Sequence, residues 1–452
     1  MRESARIFDA LLTFDCVSDK KRSTTISPLL CEAFFFYMTI IRNLTVTKLN
    51  RRAFLTAAAA STMTPYFMTS SANADEKVPG FDQTNTQVDA SSVWQPYTDR
   101  KLRVGLVGYG FCKFSAEFEF QNHPNVEIVA VSDLFPDRCA ELAKAVKCEK
   151  TYPSLEEMVK DDSIEAIFCA TDAPSHARHA ILCLEHGKHV CHAVPVFYGD
   201  PSDADKLYET VKKNSGLKYA MFETSVFHDD VYAMEKIYKA GGFGRIVYSE
   251  GEYCHTKEPN APSYPSYKDW RKNGFPLWYP THATAYYVGV THKAFTEVSA
   301  QPVYNRFPGA DPNKLVGEIA LLRTEEEGIS RMMCCHCHGI YLEAGRVRGE
   351  LGGFDATYRP VEEAFTGVSD AVKVVQSLGN SIKKPALPPT VSAGSHGGSH
   401  GYLCCDFVDA ILKDQPTRVG IADALNMTMP GYYAHLSVLK DGETLKVPHY
   451  AQ

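Results

Sequence analysis

Leu102-Arg103-Val104-Gly105-Leu106-Val107-Gly108-Tyr109-Gly110 is the stretch on which the fold turns. Its first six residues read as a buried strand, and Gly108 and Gly110 fall where that strand gives way to a helix. A turn of this kind needs bare backbone, so that a pyrophosphate can approach the amides at a helix N-terminus. After a helix predicted over Lys113 to Gln121, the β-branched run Val126 to Val131 leads to Asp133, 23 residues beyond Gly110. A carboxylate at that distance accepts from both hydroxyls of an adenosine ribose and repels a 2′-phosphate, so the expected cofactor is NAD rather than NADP. Lys113 stands where the usual glycine pattern has its third small residue. It is either a charged partner for the pyrophosphate or a solvent-facing lysine on a distorted first turn.

The alternation continues downstream. Pro136 to Val146 is amphipathic at helical spacing, and Ser154-Leu155-Glu156-Glu157 is a capping box opening a helix that runs to Lys160. A strand over Ile164 to Ala170, a helix over Pro174 to His186, a short strand over His189 to Cys191, a helix over Asp203 to Lys213 and a strand over Leu217 to Phe222 complete the set. Strands and helices alternating at this length predict right-handed βαβ units and a parallel sheet covered on both faces. Beyond Phe222 the pattern changes. A helix over Val231 to Ala240 stops at Gly241-Gly242-Phe243-Gly244, and longer alternating stretches follow at Ile246 to Tyr253, Phe295 to Gln301, Leu315 to Thr324 and Ile329 to Cys337. These suit an open, mostly antiparallel sheet. Lys383 to Gly401 reads as a surface loop, and Cys405 to Leu412 and Ile421 to Ser437 as helices packing back. The expected fold is therefore α/β: a doubly wound Rossmann sheet over residues 100–222, then an α+β substrate domain over 223–452.

Residues 1–74 do not read as part of either domain. Asn50-Arg51-Arg52-Ala53-Phe54-Leu55 resembles the twin-arginine export consensus, a mildly apolar run spans Thr56 to Met68, and Ala72-Asn73-Ala74 supplies a small-x-small cleavage site. Their order favours an export signal over a chance arginine pair, and since such signals sit near the start of a chain, initiation is expected nearer residue 45. Residues 75–99 form a linker or arm. Leu29 to Ile41 is too short to span a membrane. A periplasmic or secreted protein is expected, with no membrane contact once the signal is removed, and the twin-arginine route, which carries folded proteins, suits a tightly held dinucleotide. With 452 residues, 44% hydrophobic and a net charge of −7, the chain has material for two domains and no basic surface for nucleic acid. Most of its 14 cysteines read as small buried apolar residues. No metal is expected: in Cys334-Cys335-His336-Cys337-His338 neighbouring side chains of a strand point to opposite faces.

Further motifs carry a resemblance to the Gfo/Idh/MocA oxidoreductases. They are Val131-Ser132-Asp133 with Pro136 and Arg138, Ala170-Thr171 with Pro174 and His176, Gly187-Lys188-His189-Val190, Gly242-Phe243-Gly244-Arg245-Ile246, and Ser399-His400 ahead of Asp406-Phe407-Val408. With the glycine turn, the resemblance implies cofactor contacts from Gly108, Gly110, Phe111, Asp133, Thr171, His176 and Pro195. It also implies a homo-oligomer formed through the open face of the second sheet. Where family members carry Glu-Lys-Pro, this chain has Ala193-Val194-Pro195; where they carry Asp-x-Gly-x-His-x-x-Asp, Trp278 to Ala285 keeps only His282. Alcohol oxidation needs a base for the hydroxyl proton. His282 is the expected base, with Tyr279 orienting the substrate or relaying the proton, although a histidine at a helix start can equally be a packed, hydrogen-bonded residue. Tyr253, His255, Tyr264, Tyr267 and Trp270 either stack on a sugar ring or pack on their own domain. His396 and His400 either approach the substrate or sit on a surface loop.

The expected function is NAD-dependent oxidation of a sugar, polyol or related small carbohydrate-like substrate. Two alternatives stay open. NAD-dependent glycosidases among the resembling proteins oxidise a ring carbon transiently, and several have Val-Pro where Val194-Pro195 stands here. A non-catalytic sugar- or nucleotide-binding protein is the other.

Overall fold

The computed structural model describes residues 93–255, 266–306, 308–309, 311–336, 341–355 and 382–452. The expected export signal, residues 75–92 of the arm, Tyr264, Cys337 and His338 lie outside the described residues.

Strands β1 (Leu102–Val107), β2 (Val126–Ser132), β3 (Thr151–Tyr152), β4 (Ala166–Cys169), β5 (His189–Ala193) and β6 (Tyr219–Phe222) form one sheet in the order β3-β2-β1-β4-β5-β6. Every neighbouring pair is parallel. β4 and β6 are buried throughout, as strands covered on both faces must be. The strand order reverses between β1 and β4, and a ligand crevice belongs at the carboxyl ends of strands flanking such a point.

The second sheet comprises β7 (Ile246–Cys254), β8 (Phe295–Tyr304), β9 (Leu315–Thr324), β10 (Ile329–Cys335), β11 (Leu342–Gly349), β12 (Gly353–Asp355) and β13 (Leu445–Lys446), in the order β12-β11-β7-β10-β9-β8-β13. All its pairs are antiparallel except β7 with β10. One face is covered by the helix Thr281–Thr291, which is buried along its whole length. The approach is close: a side chain at Gly251 in β7 would run into the Ala283 carbonyl. This packing places His282 beside Tyr253 of β7.

Several elements differ from the sequence reading. The helix expected over Lys113 to Gln121 is only Phe114–Glu117, followed by a 3-10 turn at Phe120–Asn122. Phe118 and Phe120 are both buried and both pack on Phe168 and Phe222. Residues two apart lie on different faces of a helix, so the chain breaks at Glu119, in left-handed backbone at φ 67°, to bury both rings. The Ser154-capped helix stops at Met158 rather than Lys160, though the Ser154 hydroxyl does accept from the Glu157 amide at 3.4 Å. The late helix begins at His400, not Cys405. β11 and β12 escaped the periodicity reading because β11 interleaves glycines and arginines with its apolar residues.

Candidate active site

Gly108 takes φ +91°, and any side chain there would collide with the Ala170 carbonyl at the end of β4. Space beside Gly110 is open, with nothing within 4 Å of where a Cβ would lie. Between these turns and the second domain runs a cleft of about 340 Å³. Its floor includes Gly108, Gly110, Phe111, Asp133, Thr171 and His176, and its far wall Trp270, Arg271 and Tyr279.

Asp133 is fixed at the cleft edge. One carboxylate oxygen accepts from the Tyr109 amide at 2.6 Å and the other from the Phe135 amide at 2.8 Å, so the acid bridges the first turn and the loop after β2. Lone pairs remain on both oxygens for a ribose. Lys113 adopts left-handed backbone at φ 50° and its ammonium lies over the Tyr109 ring, 3.9 Å from Glu141. The bend itself stays clear. The lining fits a dinucleotide: a bare first turn, a placed carboxylate and a hollow over the strand ends.

Thr171 and His176 are held by their own contacts. The Thr171 hydroxyl bonds His179 Nδ1 at 2.9 Å. His176 Nδ1 lies 2.7 Å from the Pro195 carbonyl and Nε2 3.3 Å from that of Thr171. Burial lowers the His176 pKa, so the ring carries one N–H, and the shorter contact takes it. The imidazole thereby ties the turn after β4 to the turn after β5. Ala193 and Val194 face the cleft; Pro195, joined through a cis peptide bond, is buried one residue further on. Pro195, expected as a cofactor contact, is not among the cleft-lining residues; its carbonyl is turned to His176.

Tyr279 forms part of the cleft wall, and His282 lies behind it, ring centroids 5.4 Å apart. His282 Nδ1 is 2.8 Å from Glu223 Oε1 and 3.2 Å from the Ser225 hydroxyl, and its ring stacks on Tyr253 at 4.8 Å. Burial alone would lower its pKa, but the Glu223 carboxylate and, further off, Glu343 lift it to about 9 against the opposing charge of Arg271. With Nδ1 engaged, Nε2 is the nitrogen left for a ligand. The Tyr279 phenol is raised by burial to about 12, with Arg271 opposing. Arg271 stacks on Trp270 at 4.3 Å and sits 5.6 Å from the Tyr279 ring centre. Tyr267 and Trp270 line the cleft, Tyr253 backs it, and His255 packs instead against Tyr341.

Glu223, Ser225, Glu343 and Arg271 were not singled out from sequence. Glu223 lies just past β6, and only the tertiary fold brings it to His282, 59 residues further on; Arg271 had a usable signal in its Trp-Arg pairing within the aromatic stretch. Among the described residues, no three His, Cys, Asp or Glu side chains converge as metal ligands.

Sheet order, glycine turn and placed acid define a nucleotide-binding Rossmann domain. Residues 102–221 match the model of the GFO_IDH_MocA oxidoreductase family, NAD-binding Rossmann fold, so this stretch is an NAD-binding Rossmann domain. Among curated proteins, a Glycosyl hydrolase family 109 protein 1 of Bacteroides fragilis is 27% identical over 196 residues, 41% of each chain. That of Bacteroides thetaiotaomicron is 30% identical over 182 residues, 38% of each. The chain thus spans about two fifths of the length of these relatives. The solved scyllo-inositol dehydrogenase of Lactobacillus casei with bound NAD(H) and scyllo-inositol superposes with a TM-score of 0.60 at 16% identity, covering 77% of this chain and 99% of that one. At that identity the likeness is one of fold.

Proposed function

We propose that the protein is an NAD-dependent oxidoreductase acting on a hydroxyl group of a sugar, polyol or related polyhydroxylated compound. The observation that carries this reading is the Glu223–His282 pair, which holds an imidazole behind Tyr279, a wall residue of the cofactor cleft, with no hydrogen-bond partner for Nε2 among the described residues. NAD, when bound, supplies the hydride acceptor. Gly108 and Gly110 would leave room for its pyrophosphate, Phe111 and Asp133 would hold the adenosine end, and Thr171, His176 and Val194 would shape the far end.

The remaining work falls to His282 and its neighbours. Glu223 fixes the ring and its tautomer, as an orienting carboxylate does for a catalytic histidine. Nε2 takes the hydroxyl proton as the alcohol becomes a carbonyl and returns it in the reverse direction. Tyr279, a neutral phenol, donates to the same substrate oxygen. Arg271 holds a second oxygen, and Trp270 offers the flat apolar face that a sugar ring stacks on. His282 keeps its proton up to about pH 9, so oxidation, which starts from the neutral ring, speeds up as pH rises towards that value. The likeness to family 109 glycosyl hydrolases favours a second reading, in which the oxidation is transient and a glycosidic bond is cleaved without net redox change. The Arg51-Arg52 pattern and the Ala72-Asn73-Ala74 triplet support work outside the cytoplasm.

Purified protein would be assayed for bound NAD by mass spectrometry and then offered a panel of sugars, polyols and 4-nitrophenyl glycosides. Reduction of the cofactor is expected; nitrophenol release without accumulated NADH would favour the second reading. Neither cofactor nor turnover would remove both.

A further inference from the structure

Loop 382–399 brings a second imidazole to the same site. The His396 ring packs edge-on against Phe114, which lines the cleft, at 5.6 Å. Its backbone carbonyl accepts from His228 Nε2 at 3.0 Å, and that nitrogen is 3.9 Å from Glu343. Glu343 in turn accepts from the Ser225 hydroxyl, which also meets His282 Nδ1. The charged and titratable groups facing His396 are thus His282, Glu343, His228, Glu223 and His400.

The protonation of this loop follows from one fixed acceptor. His400 Nδ1 lies 3.0 Å from the Glu117 carbonyl, which can only accept, so Nδ1 carries the proton. Burial lowers the His400 pKa to about 4, so the ring is neutral and its Nε2 holds a lone pair. His396 Nδ1 is 2.9 Å from that Nε2, with the Ser395 hydroxyl further from each at 3.1 and 3.3 Å; two lone pairs repel at the shortest of these distances, so His396 Nδ1 is the donor. Burial keeps His396 neutral as well, with the charge of His282 adding to the effect. Its remaining nitrogen, Nε2, then has an unprotonated lone pair and no hydrogen-bond partner among the described residues. Two imidazoles of opposite protonation beside one cleft are an acid and a base.

We propose that His396 is a second catalytic residue of this site, the base that removes a proton from the carbon beside a newly formed carbonyl, with His400 as the positioning residue that fixes its tautomer. This rests on the reading of the cleft as one that oxidises a carbohydrate hydroxyl and adds a step to it. The C–H bond breaks and its proton passes to His396 Nε2. The freed electron pair forms a C=C bond as the C–O bond to the departing group breaks, and the departing oxygen takes the Nε2 proton of His282. One neutral and one charged imidazole exchange roles, and no further reactant is needed.

The test bypasses the oxidation. Methyl glucosides already carrying a ketone at C2, C3 or C4 are incubated with the NAD-loaded protein in D2O, and deuterium entry beside the carbonyl is followed by NMR. The wild type should exchange faster than buffer for at least one of them. H396Q should lose about 100-fold of that rate, the usual contribution of a positioned base, while keeping NAD binding. H400A should fall between them, and H400N, which restores an acceptor, should recover part of the loss. Equal exchange by wild type and H396Q in folded protein, or no exchange by the wild type, overturns the assignment. Exchange that depends on His396 in a protein whose cofactor no sugar reduces would uphold the base and overturn the oxidation reading instead.

Discussion

His282 Nδ1 meets Glu223 Oε1 at 2.8 Å, with side-chain exposures of 5% and 0%. Charges taken this far from water persist only when paired, and losing one partner leaves the other uncompensated, at a cost of about 3–5 kcal/mol. E223Q keeps the shape and most of the hydrogen bond but removes the charge. The His282 pKa should fall from about 9 towards or below its ordinary value. In a pH profile of cofactor reduction, the rise that wild type shows towards pH 9 should move down by at least one unit. A profile unchanged in E223Q would show that His282 is not the titrating group.

The same pair makes stability depend on pH with a definite sign. The folded His282 pKa of about 9 lies above the 6.5 of an unperturbed imidazole, so its stabilisation is complete below 6.5 and is lost as pH rises through 9. Glu223 is shifted the other way: burial pushes it up, but His282 and its hydrogen bonds hold it below 4.5, so its share is lost only as pH falls under that value. Urea midpoints should therefore decline between pH 6.5 and 9; His292, lifted to about 9 by Asp423 and Glu235 against its burial, adds to the fall, so H282Q should reduce the slope without abolishing it. A midpoint that rises across the window in wild type would contradict the assignment.

Legibility in the sequence tracked the range of the interaction concerned. Gly108, Gly110 and Asp133 were readable because a turn and the next strand end are local events with fixed spacing, and β4 to β6 because burial on both faces leaves apolar runs. The failure at Lys113 to Gln121 is equally instructive: helical spacing was present, but two phenylalanines competed for one core, and tertiary packing on Phe168 and Phe222 won. Glu223 and Glu343 were invisible because their partner His282 lies 59 residues from the first on another element, and β11, which carries the second, has no alternating pattern. The protonation of His396 was out of reach for the same reason, since the Glu117 carbonyl that sets it is 283 residues from His400.

Gly108→Ala tests the turn. The left-handed φ of +91° and the Ala170 carbonyl both oppose a methyl group there. The variant should lose about 1–3 kcal/mol from backbone strain alone. NAD affinity, measured by calorimetry on the folded fraction, should fall at least tenfold, because relief of the clash moves the amides away from the pyrophosphate. Gly110→Ala, with open space beside it, should leave unliganded stability within about 1 kcal/mol and weaken only NAD binding. Equal stability losses in the two variants would show that the first turn is not the tight point.

Asp133 is the residue that should separate the two dinucleotides. Its carboxylate is held by the Tyr109 and Phe135 amides in the place a ribose would occupy beside the first turn. A 2′-phosphate brought there would meet a fixed negative charge, and no reorientation is open to an acid already committed to two donors. Asp133→Ser removes the charge while keeping an acceptor for one amide. NAD binding should weaken about tenfold with the loss of a charge-assisted hydrogen bond to the ribose, roughly 1.5 kcal/mol. NADP binding should strengthen at the same time, since Arg138, stacked on Phe135 at 4.5 Å, stands close enough to meet the phosphate once the repulsion is gone. Titration of both nucleotides into wild type and variant, followed by protein fluorescence, gives the ratio directly. If wild type already bound the two equally, Asp133 would be a brace for the loop after β2 and not a reader of the ribose.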